Sequence, residues 1–216
     1  MASAESDLHQ PKPLSRLVTR ELGRILVGTG SSLGLRLGLL GHASFVDLRA
    51  RLVDAGNLAV GAHCQIYAGA TIRANGSRHP AVSVGRYGII RENAFIDAHG
   101  GWIDLAEGVF VGQNAVIYGQ GGVSVGACTL LSPGVTVISA KHSFDRIDVP
   151  IKFQPETFLG ISIGSDCWLG AESVVLDGVS IGNGTVVGAG AVVTRDLPAG
   201  VVAMGAPARV VRSRPH

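Results

Sequence analysis

Aliphatic residues recur every six positions along most of this chain. Counted back from the C-terminal end, they fall at Val193, Val187, Ile181, Val175, Leu169 and Ile163. Gly commonly follows them, as in "LGAESV", "IGNGTV" and "VGAGAV", and a small or apolar residue sits four places on, at Ser173, Val179, Thr185 and Ala191. Neither an alternating strand nor a helical face has this period. Upstream the same phase returns in threes: Val125, Leu131, Val137; Leu105, Val111, Ile117; Val84, Ile90, Ile96; Val60, Ile66, Ile72. Three hexads close one triangular turn of a β-helix, in which each short strand pairs with the coils above and below it. The period therefore predicts an all-β solenoid, a parallel β-helix of about six complete coils, over residues 43–212.

Extra residues enter only after the third strand of a coil, so they collect at one corner. The longest insertion lies within "VTVISAKHSFDRIDVPIKFQPETFLGISIG", Val135 to Gly164. Gly makes up 31 of 216 residues, about twice the usual share, as sharp corners with φ > 0 require. The low aromatic content, 5%, suits a narrow prism filled by Ile, Val and Leu. Spacing does not set the hand of the coil, and sterics favour right-handed crossovers between parallel strands.

Residues 1–42 read differently. "PLSRLVTRELGRILVG" places Leu14, Leu17, Val18, Leu22, Ile25 and Leu26 on one helical stripe, with Arg16 and Arg20 opposite. The segment is expected to be a helix and linker that covers the open first coil or packs on a neighbouring subunit. A second reading of the same stripe is a basic amphipathic helix in weak peripheral contact with a membrane. "GTGSSLG" behind it lacks the spacing of a phosphate loop and reads as a link. "FVDLRARLV" from Phe45 alternates like a strand and predicts an incomplete first coil.

No apolar run approaches the roughly 18 residues that would span a bilayer. With no signal-peptide pattern at the start, a cytoplasmic location is expected, with peripheral contact at the inner membrane face as the corollary of the second reading. A net charge of +2 without a basic, aromatic-interleaved patch argues against nucleic-acid binding. Cys64 and Cys167 take small inward positions and Cys128 sits near a corner; none has zinc or redox spacing, so all three read as structural.

Of seven histidines, His142 stands out by position. It closes the strand that precedes the long insertion, and a loop of that length carrying Pro150 and Pro155 reads as a functional flap.

The hexads, "VTVISAKHSFD", and "IGSDCWLGAESVVLDGVSIGNGTVVGAGAVVTRDLPAGVVAMGAPARVVR" together resemble the hexapeptide-repeat acyltransferases over roughly residues 45 to 212. Within these, the chain is most similar to sugar and polysaccharide O-acetyltransferases of the galactoside and maltose type and the capsule and O-antigen type. The resemblance implies a left-handed parallel β-helix, a homotrimer with active sites between subunits, and acetyl-CoA or another acyl-CoA as cosubstrate, with no metal. It implies a saccharide or glycan precursor as acceptor and His142 as general base.

A neutral imidazole, with an ordinary pKa of about 6.5, can take the proton of a hydroxyl as that oxygen attacks a thioester. Backbone N–H groups would stabilise the oxyanion, and no enzyme nucleophile is needed. By the same resemblance Asn114 matches an acceptor ligand, although an asparagine in a turn with φ > 0 explains it equally. Trp168, Ala171 and Ala189 match positions along the donor's pantetheine arm. Thr194, Arg195 and Arg209, with Arg212 beside them, match the CoA end, where an arginine fork suits phosphate. The chain departs from the family at "IYGQGG", where an Asp is common, which leaves the sugar open.

Alternatives within the fold are N-acylation of an amino sugar or nucleotide sugar, O-acetylation of a small metabolite, and a non-enzymatic trimeric scaffold. A zinc enzyme resembling the gamma-class carbonic anhydrases is disfavoured because His142 has no histidine partner at nearby spacing.

Overall fold

The computed structural model describes residues 43–214. The helix expected within residues 1–42 lies outside the described residues.

The hexads build three parallel sheets that wrap one narrow core. Sheet A runs through Phe45–Val46, Gln65–Ile66, Ile89–Ile90, Phe110–Val111, Leu130–Leu131, Trp168–Leu169 and Val186–Val187. Sheet B stacks Arg51–Val53, Thr71–Arg73, Phe95–Asp97, Val116–Tyr118, Thr136–Ile138, Val174–Val175 and Val192–Val193. Sheet C stacks Leu58–Val60, Val82–Val84, Ile103–Leu105, Val123–Val125, Ile161–Ile163 and Ser180–Ile181.

Register is exact from coil to coil: Ile117 pairs with Ile96 below and Val137 above. The aliphatic positions of the six-residue period point inward and form three columns. Ile66, Ile90, Val111, Leu131, Leu169 and Val187 fill the side under sheet A, each at most 1% exposed. In the first coil Val46 and Val60 are only partly buried.

The corners explain the glycines and several residues that are not glycine. Between sheets A and B one residue per turn adopts φ > 0: Gly69, Asn93, Asn114, Gly134, Glu172 and Gly190. Between sheets C and A the same role falls to His63, Tyr87, Gly108, Cys128, Asp166 and Gly184. All insertions enter at the third corner, from B to C, where no fixed turn geometry limits chain length.

The solenoid has about seven turns, six of them with a strand on all three sheets, in line with the expected six complete coils. One expectation needs correction. "FVDLRARLV" is not one strand: Phe45–Val46 and Arg51–Val53 lie on different sheets, and with Leu58–Val60 they complete the first coil. Two extra residues between Leu52 and Val60, around the turn Ala55–Asn57, put this coil out of phase with the rest, while in its first turn Asp47 accepts bonds from the Arg49 backbone and guanidinium.

The far end is closed by a feature the period does not encode. Val201–Met204 continues sheet A and pairs antiparallel, through a bulge, with Arg209–Ser213. The β-helix expected to run to residue 212 thus ends in a hairpin. An edge that would otherwise template another chain is thereby paired.

Candidate active site

Ser139 starts the long insertion from a buried position at the B-to-C corner. Its hydroxyl donates to the Tyr118 carbonyl at 2.9 Å and accepts the Gly121 N–H at 3.1 Å, tying the insertion to the coil beneath. At the other end the Asp177 carboxylate accepts the Leu159 and Gly160 N–H groups at 3.0 Å, tying it to the coil above. Between these anchors the chain folds back as an antiparallel ribbon, Lys141 opposite Thr157 and His142 opposite Glu156.

The ribbon sets the chemistry. His142 Nε2 lies 2.9 Å from Glu156 Oε1, while the imidazole stays 48% exposed and open to a substrate. A carboxylate at that distance accepts the Nε2–H and orients the ring, leaving Nδ1 as the nitrogen that can take a proton.

Farther out, buried Gln154 holds the loop in shape. Its amide donates to the Arg146 and Val149 carbonyls at 2.7 and 2.8 Å, and its oxygen accepts the Arg146 N–H at 3.2 Å. Asp148 is engaged by Arg146, whose guanidinium holds the carboxyl below its ordinary range.

"IYGQGG" now has a structural reason. A Cβ on Gly121 would come within 2.7 Å of the Gly160 nitrogen and the Ser139 carbonyl oxygen, so the base of the loop closes only on glycine. A Cβ on Gly122 would strike the Trp102 indole.

The other sequence-selected residues fall into separate places. Thr194 and Arg195 follow the sheet B strand Val192–Val193, at the same corner column as His142 and two turns beyond it. Ala171 and Ala189 stack in successive turns at the opposite, A-to-B corner, where Gly190 N–H donates to the Ala171 carbonyl at 2.8 Å. Asn114 lies in that A-to-B column too, exposed at φ 57°, with no side-chain contact to His142. Trp168 stands on the outer face of sheet A, half-exposed, its indole N–H donating to Ser132 Oγ at 2.9 Å. A shallow cleft of about 250 Å³ beside it is lined by Cys128, Leu130, Val186 and Arg214, among others. Arg209 lies in the terminal hairpin, its guanidinium on the Ala208 carbonyl.

Within one chain, therefore, His142 and Arg195 share an edge of sheet B, whereas Asn114, Ala171 and Ala189 flank the other. Glu156 and Gln154 were absent from the sequence-based set. Only the fold-back of the loop brings Glu156 to His142, and no repeat or motif marks it.

The bacterial transferase hexapeptide (six repeats) family matches residues 160–195. Those residues carry the repeat in this chain. It is 31% identical over 132 residues to the galactoside O-acetyltransferase of Escherichia coli, covering 58% of this chain and 64% of that one. It is 33% identical over 131 residues to the galactoside O-acetyltransferase of Lactococcus lactis, covering 57% and 61%. The similarity thus spans less than two thirds of these relatives' own length. Among solved structures, a variant of AntD, an N-acyltransferase from Bacillus cereus crystallised with dTDP and coenzyme A, shares the fold. It matches with a TM-score of 0.61 and 17% identity, over 87% of this chain and 91% of that one. The solenoid is accordingly the left-handed parallel β-helix of hexapeptide proteins. Among the described residues no group of three or more His, Cys, Asp or Glu side chains is placed to hold a metal ion.

Proposed function

We propose that this hexapeptide-repeat protein is an acyl-CoA-dependent O-acetyltransferase that modifies a hydroxyl of a saccharide or glycan precursor. The observation that carries the reading is the exposed His142 imidazole backed by Glu156 at 2.9 Å. Two galactoside O-acetyltransferases among the relatives support the acceptor class.

In this mechanism the acceptor O–H gives its proton to the His142 imidazole as the oxygen attacks the thioester carbonyl. The tetrahedral intermediate collapses with loss of the CoA thiolate, which takes the proton back from the imidazolium. Glu156 is a positioning residue that stabilises that imidazolium. Cys64 and Cys167 take no part: burial pushes both thiols above their ordinary value, which disfavours the thiolate a ping-pong route would need.

The donor would lie along the upper outer face of sheet B, between Ala171 and Ala189 on one edge and Thr194 and Arg195 on the other, with Trp168 and Arg209 near its ends. Asn114, at the edge away from His142, would reach a reacting hydroxyl from a neighbouring copy. A homotrimer with sites shared between adjacent subunits accounts for that separation. The domain division, residues 1–42 ahead of the β-helix from 43, and a cytoplasmic location belong to the same reading.

N-acylation is the second reading, favoured by the AntD fold match. The deciding experiment is thiol release from acetyl-CoA across sugars, amino sugars, nucleotide sugars and short oligosaccharides, with wild type beside His142→Ala. Acceptor-dependent release that falls by about a hundredfold or more in the variant is expected. Equal release by both proteins would overturn the role of His142, and product analysis separates ester from amide.

A further inference from the structure

Below His142, on the outer face of sheet B, lies a side-chain cluster that the proposed mechanism does not use. The register places Tyr118 next to Ile138, Asp97 next to Tyr118, and Arg73 next to Asp97. Each step is one coil, so Arg73 sits three strands beneath the one that leads into His142, about 14 Å along the axis at the ordinary strand spacing.

The cluster is built and incompletely satisfied. Asp97 is 2% exposed although its strand position points outward, because Arg73, Phe95, His99 and Tyr118 close around it. One Asp97 oxygen accepts the His99 backbone N–H at 2.9 Å. The other lies 3.7 Å from Arg73 Nη1 and 3.9 Å from His99 Nδ1, beyond hydrogen-bond length.

The Arg73 guanidinium stands over the Phe95 ring at 5.5 Å, and its Nε is shut off from water with no acceptor. A buried donor without a partner is costly, and a native structure rarely keeps one without reason. Asp97, paired with Nη1 at 3.7 Å, and Phe95 therefore prop the guanidinium in place, its Nε buried without an acceptor, while the side chain stays 42% exposed.

Between this fork and His142 stand two rings. Tyr118 packs against Phe95 at 5.7 Å and against the edge of His99 at 6.0 Å. His99 is half-exposed, with a ring nitrogen free to donate or accept. Aromatic faces of this kind suit the apolar face of a sugar ring, and an arginine fork suits a carboxylate or phosphate.

Building on the saccharide acceptor proposed above, we infer that the acceptor is an anionic saccharide lying down the outer face of sheet B. Its reacting hydroxyl is at His142, a ring is on Tyr118 and His99, and its acidic group is on Arg73. The span selects acceptors longer than a free monosaccharide. The acidic group is either a uronic carboxylate on a neighbouring sugar or the phosphate of a nucleotide-linked sugar.

The test uses matched acceptors with the full chain: a short oligosaccharide bearing a uronic acid, its neutral hexose counterpart, and a nucleotide sugar beside the free sugar. Steady-state thiol release and calorimetric binding are measured for wild type and Arg73→Gln. Wild type is expected to favour an anionic member over its neutral partner. Arg73→Gln should raise KM and Kd for that member about tenfold or more, with neutral acceptors and the KM for acetyl-CoA unchanged. Whichever anionic arm responds identifies carboxylate or phosphate.

Equal handling of anionic and neutral partners by wild type, or a preference that survives in Arg73→Gln, would overturn the inference while leaving His142 untouched. If no saccharide is acylated, the proposed activity fails, and calorimetry decides alone: anionic binding that weakens in Arg73→Gln supports the site, and its absence sinks it. Should Arg73→Gln melt below wild type, Arg73→Lys keeps the charge without the fork and is expected to lose most of the same preference.

Discussion

Glu156 meets His142 across two short strands, and its value depends on its charge. In Glu156→Gln the amide keeps the volume but cannot stabilise an imidazolium. We expect kcat to fall about tenfold, at the lower end for a half-exposed charged contact, with the KM of both substrates unchanged. Glu156→Asp should recover part of the loss; a fall in substrate affinity instead would make the residue a loop strut. The cysteines give a second residue-scale test. Burial raises the Cys64 and Cys167 thiols above their ordinary 9.0, whereas Cys128 is exposed. An alkylating reagent near neutral pH should therefore label Cys128 in the folded chain and reach the other two only after denaturation, as mass spectrometry of the peptides would record. Because a raised folded pKa favours folding below the unfolded value, this contribution is complete up to the ordinary thiol range. It is lost as the pH climbs through the raised values.

At the scale of elements, the insertion is a ribbon clamped at its base. Gly121 is the tightest point of that clamp, with the Gly160 nitrogen and Ser139 carbonyl both 2.7 Å from where a Cβ would stand. Both neighbours are backbone, so Gly121→Ala must displace the loop rather than a flexible side chain. We expect loss of most acyl transfer, lowered melting temperature and faster proteolysis between residues 143 and 159. Unchanged proteolysis with unchanged activity would show the clamp to be dispensable. Much of this element is legible in sequence: the break in the period locates the insertion, and His142 marks its start. The pairing of His142 with Glu156 is not, because an irregular loop carries no repeat that fixes which residues face each other. The same holds for Gln154, whose burial depends on the loop curling around it.

At the scale of the whole molecule, stability is distributed over coils that touch only their neighbours. Leu131 is fully buried in the middle of its column, between Val111 and Leu169. Leu131→Ala should cost about 2–5 kcal/mol by lost transfer energy and a cavity that rigid coils above and below cannot collapse. Denaturant titration would measure it; a cost below about 1 kcal/mol would mean that the prism repacks. The six-residue period by itself determined the solenoid, its inward columns and the single corner that admits insertions, because each follows from local spacing and the size of side chains. The first coil and the terminal hairpin needed the tertiary structure, since their pairing partners lie outside the repeat. So did the site. Asp97, His99, Tyr118 and Arg73 become neighbours, and Glu156 reaches His142, only once coils stack at strand spacing and the loop folds back. Those contacts join residues far apart in the chain, and distance in sequence carries no trace of them.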